Sequence, residues 1–118
     1  AFHRVVRGFV IQSGHLPTRR DPLTDRQQRF IQSLEPEFND TPHVAGIVSM
    51  ARIDDPSSAS TSFFICTGVA SELDRQYTAF GVVVEGLDVV RVIEATPTDG
   101  EEAPVERVEI RDARVVRR

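Results

Sequence analysis

Near its start the chain reads Phe2-His3-Arg4-Val5-Val6-Arg7-Gly8-Phe9-Val10-Ile11-Gln12-Ser13-Gly14, two apolar runs split by Arg7-Gly8. Runs of this length and composition, parted by a glycine, read as two strands, Phe2 to Val6 and Phe9 to Gln12, joined by a tight connection. Side chains alternate along a strand, so His3 and Arg4 point to opposite faces. Taken alone, Arg4 is a surface arginine on a strand and Gln12 an exposed polar neighbour.

Further along, the same pattern of short apolar runs and turn residues continues. From Ser13 to Ala45 the chain is mostly loop, rich in Pro, Thr, Asp and Arg. It holds one predicted short helix: Thr24 as N-cap, Gln27 three residues on, then Phe30, Ile31 and Leu34 at helical spacing, ended by Pro36. Gly46 to Ala51 reads as a strand, and Asp54-Asp55-Pro56-Ser57-Ser58 as a turn. Ser62 to Thr67 is a buried strand with Ser62, Phe64 and Cys66 on one face. Thr78 to Val84 is the next strand. Glu85 to Glu94 is the best helix, with Val89, Val90 and Ile93 on one face and Pro97 beyond its end. Val105 to Val116, where Val108 and Ile110 alternate with Glu109 and Arg111, is the last predicted strand. Residues 1–118 therefore form one small, mainly β domain, a barrel or a sandwich.

Composition narrows the function classes. The chain has 118 residues, 40% of them hydrophobic and 27% charged, as expected of a globular domain. Its net charge of −4 and scattered arginines argue against nucleic acid, whose phosphates need concentrated positive charge. No apolar run reaches the ~18–20 residues needed to cross a bilayer, so no membrane insertion is expected. The single cysteine, Cys66, permits no intrachain disulfide and reads as a buried small hydrophobe. His3, His15 and His43 lack metal-ligand spacing, and no nucleophile elbow or phosphate loop occurs, so neither a metal nor a cofactor is implied. Asp54 and Asp55 read as turn formers rather than calcium ligands, and His3 as structural.

The opening stretch resembles the cyclophilin signature F-H-R-hydrophobic-hydrophobic-x-G-F-x-x-Q-G-G. The resemblance continues in order with Ser49-Met50-Ala51, Ser62-Phe63-Phe64-Ile65, Leu73-Asp74 and Phe80-Gly81-Val82-Val83-Val84-Glu85-Gly86. It spans nearly the whole chain, and the Glu37-Phe38-Asn39 segment and the turn from Ala51 to Ser62 resemble bacterial members most. It implies an eight-stranded antiparallel barrel capped by two helices, of which this chain carries about six strands and the second helix. The first two strands and first helix, which precede F-H-R in the family, are expected to be absent. No leader segment is visible, and no compartment follows from the sequence.

The resemblance also implies a reaction, cis–trans rotation about X-Pro bonds in protein folding, and its residues. That rotation faces a barrier of ~18–20 kcal/mol from amide resonance and breaks no bond, so it needs neither nucleophile nor metal. Arg4 matches the principal catalytic residue, a permanently charged fork of donors able to hold the prolyl carbonyl and act near the imide nitrogen. Gln12 matches the glutamine that bonds substrate and steadies the arginine. Phe9, Val10, Phe64 and Leu73 match the walls of the proline pocket, with Val10 in place of the usual Met. Ala51 and Arg52 match the backbone that pairs with the substrate chain, Arg52 standing for the commoner Asn.

Three further positions depart from the family. Ser62 stands where Gln is usual, Tyr77 where many members have His, and Glu72 where cyclosporin-sensitive members have Trp. Weak cyclosporin binding is expected, because a carboxylate replaces an indole donor and a large apolar contact. The expected partners are proline-containing polypeptides, and a monomer is expected. The competing readings are a proline-peptide binding module and a fragment with little turnover, to which Ser62 and the absent N-terminal strands lend weight.

Overall fold

Five short runs become strands in the structure, a computed structural model that describes residues 1–117: β1 (Arg4–Val6), β2 (Val10–Ser13), β3 (Ile47–Met50), β4 (Phe63–Cys66) and β5 (Ala79–Val82). They form one antiparallel sheet in the order β1-β2-β4-β3-β5. Each falls inside an apolar run of the sequence, because a pleated ribbon lets small and branched side chains cover a core on both faces. The mainly β, antiparallel architecture with one capping helix is the cyclophilin-like fold that the sequence implied.

Register sorts the side chains by face. Arg4 pairs with Gln12, Gln12 with Phe64, and Phe64 with Ser49, so these four share one face. On that face Val10, Ile47, Ala51, Phe64, Cys66 and Ala79 form a buried cluster, against which Phe9, Leu73 and Tyr77 pack. The opposite face carries Phe2, Val5, Ile11 and Val90, with Ile65, Val83, Ile93 and Val108 beside them. The longer helix, α2 (Leu87–Glu94), covers that face and brings Val90 and Ile93 onto β1 and β2. Here α1 (Asp25–Gln28) is the single turn that follows Thr24.

Three expectations change. Thr24 does form a capping box with Gln27, but the helix stops after one turn, and Phe30, Ile31 and Leu34 are exposed. So short a helix is marginal unless an apolar face docks on a core, and α1 has no buried residue. In α2, Val89 faces solvent while Val90 and Ile93 do the packing. No strand forms over the described part of 105–116; Val108 gives one carbonyl to the Phe2 N–H at 2.9 Å. The edge of β1 is already engaged, since the Val5 N–H donates to the Glu102 carbonyl at 2.8 Å. Apolar alternation without a free strand edge gives no ladder.

Candidate active site

The fold builds a pocket of about 210 Å³ on the Arg4 face of the sheet, lined by Arg4, Phe9, Val10, Gln12, Ala51, Arg52, Phe64, Leu73 and Tyr77. These residues come from five separate places in the chain. β1 supplies Arg4, the β1–β2 turn and β2 supply Phe9, Val10 and Gln12, and the end of β3 supplies Ala51 and Arg52. Phe64 lies on β4, Leu73 ends the short helical turn Ser71–Leu73, and Tyr77 follows it in the loop before β5. Nine of the ten positions singled out in the sequence are thus brought together. Ser62 is the exception. It stands beside the pocket and contributes its carbonyl, which accepts the Ala51 N–H at 3.0 Å.

The floor is aromatic. Phe64 is buried, and its ring meets Tyr77 edge to face at a centroid distance of 5.8 Å. Edge-to-face packing of this kind is a favoured arrangement of aromatic rings. Above Tyr77 sits Arg52, its guanidinium carbon 4.5 Å from the ring centroid. The Arg52 fork is tied down by three backbone carbonyls: Ile53 at 2.9 Å, Asp54 at 3.1 Å and Gln76 at 2.7 Å. This side chain is a wall of the pocket as well as part of its backbone strip, a role the sequence did not suggest.

Arg4 stands at the pocket's polar end, about 39% exposed, with its Nε donating to Glu102 Oε1 at 3.3 Å. Gln12 is its cross-strand partner on β2. The arginine therefore has a neighbour on each side of an edge strand.

Behind the floor lies a buried polar chain. His43 is 1% exposed; its ring Nδ1 lies 3.1 Å from Asp74 Oδ1 and its Nε2 3.0 Å from Ser49 Oγ. A carboxylate accepts only, so Nδ1 carries the proton in that contact. Ser49, His43 and Asp74 stand in the order of a hydrolytic triad, but Ser49 is completely buried and its hydroxyl meets no substrate. The chain is a brace: the His43 ring stacks on Phe64 at 6.0 Å. Nothing in the sequence around His43 marks this role. Among the described residues no group of His, Cys, Asp and Glu is placed to hold a metal ion. Glu102 also escaped notice, since it lies 98 residues from Arg4 and no local pattern marks it.

His3 and His15 lie outside the pocket, their ring centroids 5.1 Å apart. Cys66 is fully buried beside Val10, its cross-strand partner, and burial pushes its thiol up to about 11. Asp55 caps a turn through the Ser57 N–H, as its composition suggested.

Comparison with known proteins bears on this geometry directly. The profile of the family described as cyclophilin type peptidyl-prolyl cis-trans isomerase/CLD matches residues 1–115. The chain belongs to the cyclophilin family. It is 36% identical over 117 residues to peptidyl-prolyl cis-trans isomerase-like 1 of Neurospora crassa, a match covering 98% of this chain and 70% of that protein. It is 40% identical over 114 residues to a peptidyl-prolyl cis-trans isomerase of Arabidopsis thaliana, covering 92% of this chain and 50% of the relative. Among solved structures, a cyclophilin type peptidyl-prolyl cis-trans isomerase of Cryptosporidium parvum, determined in the presence of the dipeptide Ala-Pro, superposes with a TM-score of 0.73. That match is 25% identical and covers 89% of this chain and 66% of the other. This cyclophilin chain thus spans about half the length of its Arabidopsis relative and about two thirds of the Cryptosporidium one.

Proposed function

We propose that this chain is a peptidyl-prolyl cis–trans isomerase acting on proline-containing polypeptides. The observation that carries the reading is the shared pocket: Arg4 and Gln12 at one end, and an apolar floor of Phe9, Val10, Phe64, Leu73 and Tyr77. A prolyl ring fits such a floor because it is compact and apolar, while the flanking peptide is polar. The Arg4 guanidinium holds the prolyl carbonyl and donates toward the imide nitrogen, favouring a pyramidal, less conjugated nitrogen. Loss of conjugation lowers the rotational barrier, and each tenfold acceleration corresponds to about 1.4 kcal/mol of preferential transition-state binding. Ala51 and Arg52 offer main-chain groups to the extended substrate, a mode that tolerates many sequences around the proline. The Ala-Pro dipeptide present with the Cryptosporidium cyclophilin supports this substrate class.

Measuring cis–trans exchange of an Ala-Pro peptide by NMR, with the chain and its Arg4→Ala variant at equal concentration, tests the proposal. Exchange catalysed by the wild-type chain and largely lost in the variant is the expected result. Peptide binding without exchange would favour the second reading, a proline-peptide binding module. That alternative draws on Ser62, whose short hydroxyl replaces a long amide and does not line the pocket. Absence of both binding and exchange would overturn each. We further propose that residues 1–118 form one cyclophilin-like isomerase domain that acts as a monomer. Glu72, exposed before Leu73, is expected to make cyclosporin binding weak.

A further inference from the structure

We propose that Glu102 is a positioning residue for Arg4, holding the guanidinium by its Nε so that the terminal nitrogens face the prolyl group. The proposal rests on the isomerase reading above. Arg4 sits on β1, the outermost strand of the sheet, where only β2 lies alongside as a neighbouring strand. Gln12 flanks it from that inner side. An arginine with one flank open samples many rotamers, and each misdirected rotamer is unproductive. Glu102 closes the other flank, its Oε1 accepting from Arg4 Nε at 3.3 Å.

The placement of Glu102 is fixed by backbone rather than by chance approach of two long side chains. Its carbonyl accepts the N–H of Val5, the residue next to Arg4, at 2.8 Å. Its own backbone takes a left-handed conformation, φ 67°, which residues other than glycine adopt uncommonly. The surrounding loop is laced shut. The Asp99 carboxylate accepts the N–H groups of Glu101 at 2.8 Å and Ala103 at 3.1 Å, and the Asp99 N–H reaches the Ala103 carbonyl at 2.8 Å. A rigid loop clipped to β1 thus delivers one carboxylate to the catalytic side chain.

The choice of nitrogen is the point of the arrangement. A guanidinium has five N–H donors, and Nε supplies one. Binding through Nε leaves the four donors of Nη1 and Nη2 unspent by Glu102, and these form the end of the side chain nearest a substrate. Both partners remain partly exposed, 39% and 46%, so the pair contributes little to stability and its effect falls on orientation.

The test compares the wild-type chain, Glu102→Ala and Glu102→Gln in the Ala-Pro exchange assay, together with the Arg4 Nε–H resonance in a ¹⁵N-arginine-labelled sample. Expected for Glu102→Ala are a five- to tenfold fall in kcat with KM nearly unchanged, and a shifted, faster-exchanging Nε–H signal. Glu102→Gln keeps an oxygen acceptor at the same reach and should recover most of the rate and the signal. Unchanged kcat and Nε–H in Glu102→Ala would overturn the proposal while leaving the isomerase reading intact. A faster Glu102→Ala variant would also overturn it, since Glu102 would then be competing with substrate for Arg4. A wild-type chain without exchange activity would remove the isomerase reading and this role with it.

Discussion

Asp74 receives His43 twice on a single oxygen: Oδ1 accepts the His43 backbone N–H at 2.7 Å and the ring Nδ1 at 3.1 Å. This double contact fixes both the ring's direction and the strand entry that precedes β3. From there the ring reaches Ser49 Oγ and stacks on Phe64, so a carboxylate near the surface orients the floor of the pocket. Replacing His43 by Ala would leave Ser49 without its ring partner and open a cavity behind Phe64. A loss on the order of 3 kcal/mol is expected in urea unfolding. Exchange activity measured well below the melting temperature should fall as well, because Phe64 loses its backing; full activity would show that the floor holds itself.

The same contact makes stability depend on acid. The His43 backbone N–H, first, and the His43 ring with nearby Arg75 hold the Asp74 carboxyl below its usual value, against a smaller opposing effect of burial. A depressed folded-state pKa contributes stability that is fully present above the unfolded value, about 3.9, and is lost as pH falls through the folded value. Unfolding midpoints in urea should therefore decline for the wild-type chain between about pH 5 and the acid limit. In Asp74→Asn that decline should be shallower, starting from a lower midpoint at pH 7. Parallel acid limbs in the two proteins would assign the acid sensitivity to other groups.

How much of this was legible beforehand depended on the range of the contacts. The five strands lay within apolar runs of the chain, since strand pairing there follows period-two burial, as Phe64 and Cys66 illustrate. Nine of the pocket residues were found because the cyclophilin motifs name them; periodicity alone would have left Arg4 a surface charge. Segment 105–116 misled because alternation of Val108, Glu109 and Ile110 says nothing about whether an edge is free. Phe30 and Ile31 misled because helical spacing says nothing about whether a core lies opposite. Glu102 and the His43 brace are tertiary products: their partners lie far off in sequence, and no local pattern announces an ion pair or a buried relay.

Gly14 is required where β2 ends. Its φ is +88°, and a Cβ there would lie 2.2 Å from the Thr61 carbonyl oxygen. The Thr61 hydroxyl in turn donates to the Gly14 carbonyl at 2.8 Å, so the two segments cannot part without losing that bond. Gly14→Ala combines an unfavourable backbone region with a backbone clash, and about 2–4 kcal/mol of destabilisation is expected. Thermal melting followed by circular dichroism measures it. A melting temperature within a degree of the wild type would mean that the loop before β4 yields freely.

Cys66 should be chemically silent in the native chain. It is completely buried, and burial, aided by Asp74 and Glu72, pushes the thiol up to about 11. Only the thiolate reacts, so at pH 8 both access and ionisation oppose modification. A disulfide reagent such as Ellman's is expected to label the chain slowly under native conditions and at once in roughly 6 M guanidinium chloride. Rapid native labelling would mean that the sheet opens around β4 on the time scale of the assay.

Arg52 offers the sharpest test of the pocket wall. Its guanidinium covers Tyr77 at 4.5 Å while three carbonyls hold it in place, so it confines the ring that meets Phe64. A cation over an aromatic face at such a half-exposed site is worth about 0.5–1 kcal/mol, or roughly a two- to fivefold effect. Arg52→Ala should raise KM for a proline peptide by about that factor, because Tyr77 gains freedom that binding must remove. Its kcat should change less, since Arg4 and its flanking groups are untouched. Arg52→Lys keeps the charge but has no planar fork to span the Ile53, Asp54 and Gln76 carbonyls, so it should resemble the alanine variant. If lysine instead restores the wild-type KM, charge alone governs the wall. A fall in kcat with KM constant would move Arg52 from the wall to the reacting bond.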